Sequence, residues 1–290
     1  RGRFAPSPTG PLHLGSLIAA LASYLDARHR GGLWLVRMED LDPPREQPGA
    51  AESILASLRA HGLNWDGEVM WQSRRGPAYE AALASLAAQG VLFYCDCTRK
   101  RLGPGGACNG RCLPRQAALA SSRALRIAVP ADTRIHFCDA LQGEQDTPLG
   151  RELPDFILRR RDGLFAYQLA VAVDDAEQCI TDVVRGSDLL ESTARQIFLQ
   201  RQLGLTTPRY LHLPVITDSR GQKLSKQNRA PALEDSRATY NLRKALQFLR
   251  QPAPDDSARG VDDILACAAR NWRPGALPAI PGLYGGDLLD

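Results

Sequence analysis

Residues 2–38 constrain the fold more than any other stretch of the chain. Gly2-Arg3-Phe4-Ala5 reads as a short strand. Pro6-Ser7-Pro8-Thr9-Gly10-Pro11 is turn chemistry, rich in the two residues that punctuate regular structure. Leu14, Leu17, Ile18, Leu21 and Leu25 then recur at helical spacing and predict a helix over 12–30. Gly31-Gly32 stops it, and 33–38 returns to strand. Strand, crossover helix and strand make the βαβ unit of a parallel sheet. The turn then lies at the carboxyl end of a parallel strand, where open α/β sheets bind ligands.

The alternation continues. Helices are predicted over 50–61 and 77–89, and a strand over 91–94 runs into cysteines. Residues 95–164 break the rhythm and read as an insertion with one strand near 125–129. Strands are expected over 165–173, 180–184 and 213–217, with a helix over 189–203 opened by the capping-type Asp188. Two further helices, over 238–250 and 261–271, build a small C-terminal region. The chain of 290 residues can bury a core without staples, and 44% hydrophobic with 23% charged residues excludes a disordered chain. No apolar run approaches ~18 residues and no basic-then-apolar leader opens the chain, so a cytoplasmic protein without membrane contact is expected. The first residue is Arg1 rather than Met, so an initial stretch is expected to be missing or renumbered.

Two segments carry candidate nucleotide chemistry. The first runs from the turn into the helix and holds Thr9, His13, Gly15 and Ser16. A helix N-terminus offers unpaired N–H groups to phosphate. Gly15 permits close approach of a base or ribose, and His13 can donate to a phosphate oxygen. An ordinary turn with an exposed histidine is the plainer alternative. The second segment is Lys223-Leu224-Ser225-Lys226-Gln227. The net charge of +4 demands no anionic partner. Of 36 basic residues, however, only four are lysines, and two of these sit within this loop. A compact, flexible ammonium suits a clamp on triphosphate better than a rigid fork does. A solvated basic loop is the plainer alternative here too.

Seven cysteines is an odd number, and four fall in one window at Cys95, Cys97, Cys108 and Cys112. Such clustering favours a metal over disulfides, and four thiolates suit a closed, structural Zn²⁺ site, one per chain. Arg99, Lys100, Arg101, Arg111 and Arg115 surround it and could meet phosphate. Cys138, Cys179 and Cys267 are scattered and are expected to be packing residues.

His13-Leu14-Gly15-Ser16 and Lys223-Leu224-Ser225-Lys226-Gln227 together resemble the two signature motifs of class I aminoacyl-tRNA synthetases. Each departs at its last position, through Ser16 and Gln227. The opening 3–10, Arg37-Met38-Glu39-Asp40-Leu41-Asp42 and the run 182–190 resemble the glutamyl branch. The resemblance implies a Rossmann-type doubly wound parallel sheet with a zinc-containing insertion and a small helical C-terminal region. It divides the chain into catalytic halves 1–94 and 165–217, an acceptor-type insertion 95–164, and a lysine loop with helical tail over 218–290.

It also implies roles. Arg3, Phe4, Ala5, Pro6, Ser7, Glu39, Tyr167 and Arg185 would bind glutamate, with Arg3 and Arg185 gripping carboxylates and Glu39 the ammonium. Thr9, His13, Gly15, Ser16, Lys223, Ser225 and Lys226 would hold ATP and its Mg²⁺, with His13 and Lys226 stabilising charge at phosphorus. Only 63 residues follow Gln227, too few for the anticodon-binding domain of a full glutamyl-tRNA synthetase. The chain therefore resembles the truncated paralogues, which activate glutamate without tRNA and esterify it to queuosine at the wobble position of tRNA(Asp). A monomer is expected. The alternatives are a glutamyl-tRNA synthetase lacking its anticodon domain, a catalytically idle zinc RNA-binding module, and, more distantly, a small-molecule nucleotidylyltransferase.

Overall fold

The computed structural model describes residues 1–118, 123–224, 231–254 and 258–289. The first unit forms as its pattern dictates: β1 (Gly2–Phe4), α1 (Leu14–His29), β2 (Trp34–Met38). α2 (Ala50–Ala60) leads to β3 (Met70–Trp71), and α3 (Gly76–Ala88) to β4 (Leu92–Cys95). β5 (Ala124–Ala128), β6 (Ile135–Asp139), β7 (Gly143–Thr147), the short α4 (Leu149–Glu152) and β8 (Asp155–Arg159) follow. Then come α5 (Tyr167–Glu177), β9 (Asp182–Gly186), α6 (Leu190–Gln202), β10 (Arg209–Leu213) and β11 (Val215–Thr217). α7 (Ala238–Phe248), α8 (Val261–Arg270) and β12 (Gly282–Tyr284) complete the chain.

β3, β2 and β1 pair in parallel, and so do β9, β10 and β6, with β7 antiparallel at the edge. The two halves meet where the N–H groups of Thr181 and Asp182 both donate to the Arg1 carbonyl at 3.0 Å. Strand order reverses at this β1/β9 junction, so the crevice above it is the natural ligand site of the doubly wound sheet. β4, β5 and β8 form a separate antiparallel sheet under the cysteine segment. β6 and β7, inside the segment 95–164, join the central sheet through β10.

Both faces of the sheet are covered. Trp34, Val36 and Met38 point to a core shared with α1, α7 and α8. Val183 and Tyr210 point to a second core built with α3, α5 and α6. Burial on both faces is what parallel sheets require. Asp26 of α1, buried, accepts from the Trp272 indole N–H at 3.1 Å and from Arg209, tying the C-terminal region to β10. His61 Nε2 and the Asn241 amide lie 3.0 Å apart in the same seam.

Four expectations need correction. Residues 165–173 are not a strand, since α5 runs over Tyr167–Glu177. Its apolar run is buried between the sheet and α6, and period alone cannot separate a buried strand from a buried helix. Asp188 does not cap α6, whose N-cap is Leu189 without a side-chain bond; Asp188 instead pairs with Lys223 at 2.6 Å. Cys138 and Cys179 are exposed and Cys267 is half-buried, so none is a core packing residue. The strand expected over 213–217 is split at Pro214, where β10 ends and β11 begins. Proline has no N–H to donate to a ladder.

Leu242 of α7 is fully buried against α1. Leu242→Ala should cost about 2–5 kcal/mol. It should lower a single denaturant transition rather than create a second one, because the C-terminal helices share the core of the sheet.

Candidate active site

The crevice at the β1/β9 junction is a cleft of about 770 Å³. It gathers Arg3, Phe4, Ala5, Pro6, Ser7 and Glu39 at one end. Thr9, His13, Gly15 and Ser16 line the other, with Tyr167, Arg185 and Lys223 along the walls. Glu39, Arg185 and Lys223, which lie 36, 182 and 220 positions from Arg3 in the chain, are thus brought together with it by one strand crossing. Ser225 and Lys226 lie outside the described residues. The loop that carries them is anchored on both sides, since Leu224 N–H donates to the Ile216 carbonyl at 2.8 Å and Leu233 N–H to the Leu12 carbonyl at 2.9 Å.

His13 is the N-cap of α1, and its Nδ1 accepts the Ser16 N–H at 3.2 Å. An accepting Nδ1 puts the proton of the neutral ring on Nε2, which makes Nε2 a donor. The spacing to Gly15 has a steric reason. A Cβ at Gly15 would stand 3.1 Å from the His13 ring and 3.2 Å from the Ile216 side chain. A side chain here would press on the ring and push it by a few tenths of an ångström.

The opposite end is a buried charge cluster on one face of the sheet. Arg37 and Glu39 follow each other at strand spacing, so both face α5, as does Arg3 from β1. Asp175 of α5 takes Arg3 Nε at 3.1 Å and Arg37 Nη1 at 2.7 Å. Burial pushes the Asp175 carboxyl up, but the two guanidinium groups outweigh it and hold it below the ordinary carboxylate range. Glu39 differs. Burial pushes its carboxyl up, and Arg37, 3.4 Å away, does not fully offset this. The Glu39 N–H donates to the Pro6 carbonyl at 2.9 Å, which registers the first loop against β2.

Arg185 of β9 is buried and has no carboxylate partner among the described residues. Its Nε donates to His212 Nε2 at 3.0 Å, and Nη2 to Thr193 Oγ1 at 2.8 Å. Among the described residues, Nη1 meets only the Tyr167 hydroxyl, at 3.5 Å. A buried guanidinium without an anion is costly, and a carboxylate entering the cleft would relieve that cost. Tyr167 is half-buried beside it, and desolvation pushes its phenol up, so the group stays a neutral donor. Arg37, Asp175, Thr193, His212 and Asp139 are the residues that sequence reading missed. Only Arg37 carries a visible signal, its two-residue spacing from Glu39 on a strand.

Away from the cleft, the four cysteine sulfurs lie within 4.8 Å of one another, with neighbouring pairs at 3.6, 3.7 and 3.8 Å. A tetrahedral ion with bonds of about 2.3 Å to sulfur needs ligand separations of roughly 3.8 Å, so the donor set fits a metal. Asn109 and Gly110, at φ 53° and 72°, turn the knuckle. Buried Asp155 accepts the N–H groups of Cys108 and Asn109, both at 2.8 Å, and also binds Arg126. Burial pushes the Cys95 and Cys108 thiols up, Cys108 to about 11, while hydrogen bonds from the other sulfurs, working against burial, hold Cys97 low. Arg99, Lys100, Arg101, Arg111 and Arg115 are all exposed; Arg115 is paired with Asp96.

A family model described as tRNA synthetases class I (E and Q), catalytic domain, matches residues 1–105 and 115–249. The chain belongs to this family. It is 52% identical over 278 residues to a glutamyl-Q tRNA(Asp) synthetase of Klebsiella pneumoniae (strain 342), covering 94% of this chain and 93% of that relative. A protein of the same name from Xanthomonas campestris pv. campestris (strain 8004) is 50% identical over 291 residues, covering 100% of this chain and 97% of its own. Among solved structures, glutamate-tRNA synthetase from Elizabethkingia anophelis superposes with a TM-score of 0.80 at 25% identity. The match covers 97% of this chain and 67% of that one. The class I catalytic fold, α/β with a parallel sheet, is therefore that of the family.

Asp175→Asn should cost about 3 kcal/mol or more, because two buried guanidinium groups lose their shared anion. The native Asp175 pKa lies below its unfolded value, so its contribution is present above the unfolded pKa, about 4, and fades as pH falls through the native one. Thermal melts from pH 7 down to pH 3 should show the wild type losing this increment in acid and the variant lacking it throughout.

Proposed function

We propose that this protein activates glutamate with ATP, without tRNA, and then transfers it to the cyclopentenediol of queuosine in the anticodon of tRNA(Asp). The observation that carries the reading is Arg185, a buried cation with no carboxylate partner among the described residues, in the wall of a cleft that also holds the helix N-terminus of His13. The names of relatives about 50% identical over nearly the whole chain support the acceptor.

On this reading the glutamate carboxylates lie toward Arg3 and Arg185, and its ammonium toward Glu39. Phe4, Ala5, Pro6, Ser7 and Tyr167 complete the pocket. Thr9, His13, Gly15, Ser16, Lys223, Ser225 and Lys226 take ATP, which enters as its magnesium complex. An oxygen of the α-carboxylate attacks the α-phosphorus, and the bond to pyrophosphate breaks. His13 Nε2–H and the Lys226 ammonium stabilise charge on the phosphoryl oxygens. A queuosine hydroxyl then attacks the acyl carbon, AMP leaves, and an ester remains. No protein nucleophile is needed; positioning and charge stabilisation suffice. Cys95, Cys97, Cys108 and Cys112 would hold Zn²⁺ in a closed structural site. Catalytic halves 1–94 and 165–217, a zinc insertion 95–164 and a tail 218–290 remain the proposed division. No described helix is long and apolar enough to cross a membrane, and the reading places a monomer in the cytoplasm.

The purified protein should exchange labelled pyrophosphate into ATP with glutamate and no RNA, and should label tRNA(Asp) only from cells that make queuosine. Charging of queuosine-free tRNA would instead mark a glutamyl-tRNA synthetase, and silence in both assays would refute the reading. Lys226→Ala should slow exchange by about a hundredfold or more, as expected when a transition-state charge is removed. Metal analysis should find one zinc per chain, and a strong chelator should lower the unfolding temperature as structural sites do on losing their ion.

A further inference from the structure

Three adjacent parallel strands carry Asp139, His212 and Arg185 in a row on the face that packs against α6. His212 of β10 stands directly beside Arg185 of β9, and Asp139 ends β6 on the other side. All three are buried, and His212 is inaccessible. The sequence marks none of the connections, since 73 positions separate Asp139 from His212.

We propose that His212 is the positioning residue for Arg185, that Asp139 fixes its tautomer, and that this relay keeps the guanidinium open to the carboxylate of the substrate. The proposal rests on the reading that glutamate binds in the cleft.

The polarity of the row runs one way. The Asp139 carboxylate accepts the N–H groups of Leu141 at 3.0 Å and Gln142 at 2.8 Å, and that of His212 itself. It has nothing to donate, so His212 Nδ1, 2.6 Å away, must carry the proton. His212 Nε2 is then an acceptor, and Arg185 Nε, which can only donate, meets it at 3.0 Å. Thr193 Oγ1 lies 3.1 Å from the same nitrogen and takes Arg185 Nη2 at 2.8 Å. The rings of His212 and Tyr210 stack at 14°, and Tyr210 also underlies the guanidinium, 5.5 Å from Cζ. Two edges of the guanidinium are thus pinned by neutral groups. The nearest carboxylate acts through an imidazole and leaves Nη1 to the cleft. Arg3 shows the contrast, because its Nε contacts Asp175 directly. A carboxylate on Arg185 itself would occupy the very site that a substrate carboxylate needs.

The test uses the full chain in glutamate-dependent pyrophosphate exchange, with KM for glutamate and for ATP measured separately and the unfolding midpoint recorded. His212→Asn keeps a donor toward Asp139 and has no atom in place of Nε2. It should raise the glutamate KM about tenfold or more and leave the ATP KM within about twofold. His212→Gln restores an oxygen acceptor near the Nε2 position and should recover most of that loss. Asp139→Asn can present an N–H to Nδ1, which drives the proton onto Nε2 and sets two donors face to face; its glutamate KM should rise as in His212→Asn. A folded His212→Asn enzyme with an unchanged glutamate KM, or with both KM values raised alike, overturns the relay. If that variant does not fold, Asp139→Asn decides on the same criterion. A wild-type enzyme that is active beside an insensitive variant refutes the relay alone; a wild type silent with glutamate refutes the pocket and the relay together.

Discussion

The Asp175 carboxylate is the contact on which the site depends. It joins α5 to β1 and β2 through Arg3 and Arg37, with all three groups buried. Two buried guanidinium groups beside each other would repel and stay unsolvated, so neither could sit there without a shared anion. Asp175 lies in the last turn of α5, where a negative charge opposes the helix dipole. The helix tolerates it because the cations of the sheet outweigh that penalty. The same bond positions the other end of α5, since Tyr167 opens the helix and faces Arg185. One carboxylate therefore sets both the floor of the cleft and the donor in its wall.

Much of the fold was legible because its signals are local. The first βαβ unit follows from a helical period, a proline-rich turn and a Gly-Gly stop within 38 residues. The cysteine cluster is legible for the same reason, and its sulfurs do converge. α5 was not legible. Leu169, Ala170, Val171 and Ala172 are all buried, and a helix buried on several sides loses the polar face that would reveal its period. β6 and β7 were missed because His136, Gln145 and Glu144 give an edge hairpin little apolar alternation.

The site divides along the same line. Side chains next to a turn or at strand spacing could be named from the sequence: Arg3, His13, Gly15 and Glu39 all line the cleft. Partners supplied by another element could not. Nothing near Arg185 announces His212, and nothing near Arg37 announces Asp175, because these pairs are 27 and 138 positions apart. Only the strand order places them side by side. The charge of a buried arginine is visible in a sequence, but whether an anion already satisfies it is not. That difference separates Arg3 from Arg185, which look alike in the chain.

The two signature segments are also physically one object. Leu233 pairs with Leu12, Ala232 bridges His13, and Leu224 pairs with Ile216, whose side chain lies against Gly15. Both anchors of the lysine segment therefore rest on the chain entering α1, from Leu12 to Gly15. His13 serves the first turn of α1 twice, since accepting the Ser16 N–H caps the helix and, by fixing the tautomer, turns Nε2 into a donor. The cap uses the backbone of Ser16 and not its side chain, so the departure from the family pattern at this position leaves the His13 geometry intact. What the replacement removes is a second imidazole at the mouth of the cleft; on the proposed reading, the phosphates of ATP then depend on His13, the helix N-terminus and the lysine segment.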